Sequence, residues 1–215
     1  MSLDVAQLPL GPFETNCYLV RQAGAGEAVV VDPGFDAAAI RLELANRGAR
    51  CTAILITHGD VDHIGAVADL AEGTGAPVHM AEDDRERLER ANDFVPAGIP
   101  VRVRCYAPEV LLKGDETLDL VGISFETLRI PGHAAAHLAY AAGGALFSGD
   151  LLFAGSVGRT DRPGGDFEAL LASIATLADR FPPETVVYPG HGPVTTLGHE
   201  LATNPFLVEL RASPR

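Results

Sequence analysis

The chain alternates between short apolar runs and amphipathic stretches, and the two periods predict different elements. Residues 17–20 and 28–31 are apolar runs on either side of Ala23-Gly24-Ala25-Gly26, and they read as two strands joined by a turn. Asp32-Pro33-Gly34 stops the second strand. Residues 37–47 place Ile40, Leu44 and Ala45 at helical spacing and end at Gly48. Residues 53–57 (AILIT) predict a buried strand. Ile64, Val67, Ala68 and Ala71 predict a helix over 64–71. Residues 77–80 read as a strand, 82–91 as a charged exposed helix, and 92–100 as a loop with two prolines. Alternation predicts a strand over 123–130, and Gly143-Gly144 divides 138–147 into a hairpin. Residues 167–180 carry Leu170, Leu171, Ile174, Leu177 and Ala178 on one side of a helix, with Asp166 as its N-cap. A short strand over 185–188 follows, and 201–210 is expected to close the chain as a helix despite Pro205.

Strands and helices alternate through both halves, so the fold class is α/β. At 215 residues, with no internal repeat and no low-complexity linker, the chain is expected to form one domain over 1–215. No apolar run approaches the roughly 18 residues that a membrane span needs. The first ten residues have no basic region followed by an apolar one, so no signal peptide is read there. The expected location is the cytoplasm.

Charge narrows the partners. The formal net charge is −13, and Lys113 is the only lysine. A nucleic-acid surface needs clustered cations, so nucleic acid and membrane are not expected partners. The three cysteines, Cys17, Cys51 and Cys105, are odd in number and form no C-x-x-C. They are expected to be small buried hydrophobes and not a disulfide framework.

The histidines carry the chemical signal. His58 and His63 flank Gly59-Asp60-Val61-Asp62; His133 follows Pro131-Gly132; Asp150 follows Ser148-Gly149; His191 follows Pro189-Gly190. Each lies at or just past a predicted strand end, where open α/β folds build sites. Imidazole and carboxylate are the donors that zinc, manganese and iron accept without cysteine. Two imidazoles and two carboxylates within residues 58–63 would be costly to gather without a compensating cation.

These residues resemble the metallo-β-lactamase superfamily, whose signature is His-x-His-x-Asp-His followed by single downstream His, Asp and His ligands. The stretches Phe13-Glu14-Thr15-Asn16-Cys17-Tyr18-Leu19 and Val31-Asp32-Pro33-Gly34 resemble its opening strands, so the likeness runs nearly end to end. Gly158-Arg159-Thr160-Asp161 and Asn204-Pro205-Phe206 look most like the single-domain glyoxalase II-type hydrolases. The resemblance implies an αββα four-layer sandwich with two divalent metal ions, zinc first among them. Carried over by position, His58 and His133 would bind metal one. Asp62, His63 and His191 would bind metal two, and Asp150 would bridge them. The implied reaction is metal-dependent hydrolysis of a small-molecule thioester, with Asp62 binding metal and orienting the attacking water. Arg159 is the candidate for binding a carboxylate of the thiol carrier, or else it pairs with Asp161 or Asp166.

The chain departs from the signature at its second histidine, which is Asp60. Asp60 could ligate metal one directly, reach it through a water, or leave a single-metal site. Direct ligation would favour iron or manganese. The run Ala134-Ala135-Ala136 replaces a Thr-Pro-Gly found in relatives, and His137 after it reads as a supporting or packing residue. His79 and His199 lie outside the motif. Two other readings stand beside the hydrolase. One is a persulfide dioxygenase-like oxidoreductase using one iron on His58, His133 and Asp150. The other is a degenerate member that binds without turnover.

Overall fold

The computed structural model describes residues 2–208 and 210. The first half runs β1 (Leu3–Leu10), β2 (Thr15–Gln22), β3 (Glu27–Val31), α1 (Ala37–Asn46), β4 (Arg50–Leu55), α2 (Val61–Ile64), α3 (Val67–Thr74), β5 (Val78–Ala81), α4 (Arg85–Glu89) and β6 (Val110–Leu112). The second half runs β7 (Thr117–Leu120), β8 (Ile123–Arg129), β9 (Leu138–Ala142), β10 (Ala145–Gly149), β11 (Leu152–Phe153), β12 (Ser156–Val157), α5 (Phe167–Arg180), β13 (Val186–Pro189), β14 (Thr195–Thr196) and α6 (Leu197–Thr203). Each half supplies one six-stranded sheet. The orders are β1-β2-β3-β4-β5-β6 and β14-β13-β10-β9-β8-β7.

Alternation along the strands explains the layers. In β3, Val29 and Val31 point between the sheets, against Phe125, Tyr140 and Phe147. Val30 points the other way, onto Ile40 of α1 and Leu70 of α3. The second sheet repeats the device: Leu128, Leu146 and Val187 turn outward onto Leu170, Ile174 and Leu177 of α5. Three apolar layers therefore separate helix, sheet, sheet and helix, which is the expected αββα sandwich. Each fully buried leucine or isoleucine of α5 contributes roughly 1.5–3 kcal/mol. Asp166 caps α5 by accepting from Ala169 N at 3.0 Å, as its position before the helix suggests.

Several expectations need correction. The helix read over 64–71 is two helices, because the chain bends where Ala66 N donates to the carbonyls of Pro33 (3.0 Å) and Gly34 (2.7 Å). Gly65 permits that approach, since a Cβ there would lie 2.4 Å from Gly34 O. The charged segment 82–91 is a 3₁₀ turn (Glu82–Asp84) followed by α4, and it is not wholly exposed: Asp84, Leu88 and Ala91 are buried. The closing helix begins earlier, at Leu197, and stops at Asn204, after which Pro205 opens a 3₁₀ turn. Residue 209 of the predicted 201–210 segment lies outside the described residues. Strands β1, β6 and β7 are additional: β1 and β6 are sheet edges and β7 is the outer strand of the other sheet, so their patterns are weak. Cys17 and Cys51 are buried as expected, but Cys105 is exposed. Among the described residues no helix is long and apolar enough to cross a membrane.

The turn between β6 and β7 stores a pH-dependent contribution. Glu116 Oε1 accepts from Lys113 N (2.6 Å), and its Oε2 accepts from Gly114 N (2.9 Å) and Asp115 N (3.1 Å). Partial burial raises the Glu116 pKa, but these donors and the Thr127 hydroxyl outweigh it and hold it at about 2. A depressed carboxylate stabilises the fold above its unfolded value and loses that contribution as pH falls through the folded one. Glu116→Gln is therefore expected to destabilise the protein at pH 7, by roughly 1–2 kcal/mol. The gap between variant and wild type should close between pH 4.5 and about 2, as read by denaturant melts across pH.

Candidate metal centre

The seven candidate metal-site residues meet at one end of the sandwich. His58 and Asp60 follow β4; Asp62 and His63 ride on α2; His133 lies between β8 and β9; Asp150 follows β10; His191 follows β13. Three groups of donors each lie within 4.8 Å of one another: His58, Asp60 and His133; His58, His63 and Asp150; Asp62, His63 and His191. The structure thus brings together every residue expected at the metal site, Asp60 included.

Donor spacing shows what the cluster fits. His191 Nε2 lies 3.2 Å from Asp62 Oδ2 and 3.6 Å from Asp150 Oδ2. His63 Nε2 lies 3.3 Å from Asp150 Oδ1 and 3.7 Å from Asp62 Oδ2. His133 Nε2 lies 3.4 Å from Asp60 Oδ2 and 3.9 Å from Asp150 Oδ2. A tetrahedral site with bonds of about 2.0–2.2 Å has edges of roughly 3.3–3.6 Å, so these separations resemble coordination edges more than hydrogen bonds. The Nε2 atoms of His58, His63 and His133 and Oδ1 of Asp150 are buried and have no hydrogen-bond partner. Four such atoms aimed at each other in one pocket fit a divalent cation.

The opposite ring nitrogens are anchored. Asp32 is buried, and its Oδ2 lies 2.9 Å from His63 Nδ1 while also accepting from Thr57 Oγ1 at 2.7 Å. A carboxylate can only accept, so His63 carries its proton on Nδ1 and offers Nε2 as a lone pair. The Thr57 hydroxyl spends its proton on Asp32, so its oxygen accepts from His58 Nδ1 at 3.0 Å. His133 Nδ1 donates to Arg159 O at 2.8 Å. Each anchor fixes a ring with Nε2 facing inward, as in metal sites generally.

Electrostatics agree. Burial alone would raise the Asp150 pKa, but His63, His191 and His133 pull it far below the usual carboxylate range. Burial would lower the His63 pKa, yet Asp150, Asp62 and Asp32 raise it well above normal: three carboxylates draw positive charge to this ring, which either a second proton or a cation at Nε2 would supply. His137 is different. It is fully buried, 4.6 Å from the His58 ring centre, and burial pushes its pKa down to about 3, so it packs as a neutral ring behind His58.

The loop bearing His191 is tied across the two sheets. Asn16 N donates to Gly190 O at 2.7 Å, and Asn16 Nδ2 donates to the carbonyls of Pro189 and Gly192, both at 2.9 Å. The Tyr18 hydroxyl donates to Pro189 O at 2.6 Å. Gly190 lets this loop pass close to the donors, because a Cβ there would lie 2.1 Å from Asp150 Oδ1.

Four supporting residues were not singled out from the sequence as site residues. Asp32 stands in the sequence as a strand stop, although a carboxylate directly after a buried strand is a usable signal. Thr15 Oγ1 donates to Asp62 Oδ2 at 3.1 Å. Arg87 Nη1 donates to Asp60 Oδ1 at 2.9 Å, and Asp84 accepts from Gly59 N. Nothing in a charged helical stretch distinguishes these last two from solvated residues. Arg159, the expected substrate contact, lines the cleft, but its guanidinium is paired with Asp161 at 2.7 and 2.6 Å.

Residues 10–191 match the model of the metallo-β-lactamase superfamily. The chain belongs to that superfamily. It is 32% identical to a hydroxyacylglutathione hydrolase, GloC, from Haemophilus influenzae, over 95% of this chain and 98% of the relative. Among solved structures, it resembles the BLEG-1 B3 metallo-β-lactamase, with a TM-score of 0.88 and 37% identity over 95% of this chain and all of that one. It also resembles TTHA1623, solved in a di-iron-bound form, with a TM-score of 0.73 and 40% identity over 94% of this chain and all of that one. Membership makes it a metallo-hydrolase-type protein of a superfamily that binds divalent metals, and the donor cluster matches.

Asp32→Asn puts an amide NH₂ in place of one carboxylate oxygen, and Oδ2 is the oxygen facing the Thr57 hydroxyl and His63 Nδ1. The variant is expected to fold but to bind metal roughly 10- to 100-fold more weakly. Metal titration followed by elemental analysis checks this; wild-type affinity in the variant would mean that Asp32 does not set the ring orientation.

Proposed function

We propose that the protein hydrolyses an acyl thioester of a small thiol at this centre, using two divalent metal ions. The observation that carries the reading is the pair of outer donor groups, His58 with Asp60 and His133, and Asp62 with His63 and His191, joined by Asp150 between them. The likeness to GloC, whose name specifies an acylated glutathione, supports the thioester class.

Bound metals would acidify water and polarise the scissile carbonyl. The chain supplies the rest. Asp150 lies between the two groups, with one oxygen near His63 and the other near His133 and His191. Thr15 holds Asp62 Oδ2, which leaves the Asp62 carboxylate fixed at the cleft wall to orient the attacking water and accept its proton. The cleft is about 370 Å³, and Phe13, Ile99 and Phe153 give it apolar walls that exclude bulk water around an acyl group.

We read Asp60 as a direct ligand. Its Oδ2 lies 3.4 Å from His133 Nε2 and 4.0 Å from His58 Nε2, while Arg87 occupies Oδ1. A hard carboxylate oxygen at this position favours iron or manganese alongside zinc, and the di-iron form of TTHA1623 is consistent with that. The one-iron oxidoreductase reading would use His58, His133 and Asp150 and leave Asp62, His63 and His191 without a task.

Elemental analysis of protein from metal-supplemented medium is expected to give about two metals per chain, and Asp60→Ala about one. One iron in the wild type would favour the oxidoreductase reading instead. The metal-loaded protein is expected to release thiol from a panel of acyl thioesters. Asp62→Asn should lower kcat about 100-fold or more with a smaller change in KM. A loaded wild type that cleaves none of the panel would end the thioesterase reading.

A further inference from the structure

Three arginines line the cleft or the cavity beside it, and they are not equivalent. Arg159 is held by both oxygens of Asp161. Arg87 is held by Asp60 at 2.9 Å and Asp84 at 3.3 Å, and its guanidinium lies 5.1 Å from the centre of the Phe94 ring. Arg162 has one long ion-pair contact, Nη1 to Asp60 Oδ2 at 3.5 Å, with Asp161, already held by Arg159, as its other charged neighbour, and its side chain is 41% exposed. It lines both the main cleft and an adjoining cavity of about 380 Å³ walled by Phe94, Pro96 and Pro163.

That contact is to the oxygen that faces His133 and His58. In the proposed centre the same oxygen would bind a cation. A divalent ion on Oδ2 takes up the charge that attracts Arg162 and places like charge beside it. The other Asp60 oxygen is already held by Arg87. Arg162 then faces the substrate space as a guanidinium in need of an anion. A guanidinium fork matches a carboxylate.

We propose that Arg162 is the specificity-determining residue of the cleft and receives a carboxylate of the thioester substrate, with the apolar part beside it against Phe94 and Pro163. The proposal rests on the thioesterase reading. The carboxylate has two possible carriers, the thiol or the acyl chain, and both present the same chemistry to Arg162.

The test compares metal-loaded wild type, Arg162→Gln and Arg159→Gln in two arms. One arm sets S-lactoylglutathione against its diethyl ester, in which both carboxylates are masked. The other sets the succinyl thioester of N-acetylcysteamine against the butyryl thioester. Calorimetric binding of glutathione and of succinate accompanies them, because product binding does not require turnover. Arg162→Gln is expected to raise KM for the carboxylate-bearing member of one arm on the order of 10- to 100-fold. Its kcat and its kinetics on the carboxylate-free member should stay within about threefold, and product affinity should fall in the same arm. The responding arm identifies the carrier. Equal effects on carboxylate-bearing and carboxylate-free members, unchanged product affinity, or a larger discrimination lost in Arg159→Gln would overturn the proposal. A wild type that cleaves no thioester yet binds glutathione or succinate through Arg162 would sink the thioesterase reading and keep the carboxylate site. Turnover without Arg162 dependence would do the reverse.

Discussion

The site hangs on a buried carboxylate that is not itself among the grouped donors. Asp32 sits at the end of β3, is 2% exposed, and accepts from Thr57 N at 2.8 Å, from the Thr57 hydroxyl and from His63 Nδ1. A buried charge without such partners would cost several kcal/mol, so the three donors and the carboxylate require one another. The consequence reaches two histidines at once. His63 is fixed directly, and His58 is fixed through the Thr57 hydroxyl, which can accept from the ring only because Asp32 takes its proton. One residue therefore sets the tautomer of two rings, and neither ring could offer Nε2 inward if its proton sat there.

The parallel pairing of β3 with β4 brings Asp32 beside Thr57, since Val31 pairs with Leu55. The first sheet thus orients the donors that follow β4. The second sheet contributes His133, Asp150 and His191 from the ends of β8, β10 and β13. The seam between sheets has to be held to sub-ångström tolerance for the two sets to meet, and apolar packing of Val29, Phe125 and Phe147 is not directional enough for that. Asn16 and Tyr18 supply the direction. Their four hydrogen bonds to the loop of residues 189–192 cross from one sheet to the other immediately below the metal donors. Rigidity at the seam and openness at the cleft can then coexist, because the ties lie beneath the donors and the substrate walls lie above them.

How far the sequence could be read follows from which forces act locally. The helix over Phe167–Arg180 appears at the predicted residues because its cap, its apolar stripe and its end are all encoded within the segment. The helix expected over 64–71 breaks because of a tertiary approach to Pro33 and Gly34, which no local pattern records. β1 and β6 escape because edge strands bury less and alternate weakly. The candidate donor set was legible because histidines and aspartates beside Gly-bearing turns are a local signal repeated four times. The residues that aim those ligands were not, since Asp32, Thr15 and Arg87 act from 25 to 47 positions away from their partners and share no motif with them.

Asp60 shows the same dependence in its sharpest form. Replacing an imidazole by a carboxylate adds a negative charge to a donor set that already holds Asp62 and Asp150. Alone, that charge would over-stabilise a bound cation and blunt its power to polarise a carbonyl. The protein does not leave it alone. Arg87 draws on Oδ1, and Arg87 is itself held by Asp84, which also fixes the Gly59 amide beside the ligand loop. A carboxylate with one oxygen bound to a guanidinium is a weaker donor than a free one, and in net charge the Asp60–Arg87 pair resembles the neutral imidazole it replaces. On this argument Asp60 works as one half of a pair with Arg87. Its other half lies on α4, 27 residues along the chain, in a stretch whose own pattern reads only as solvated charge.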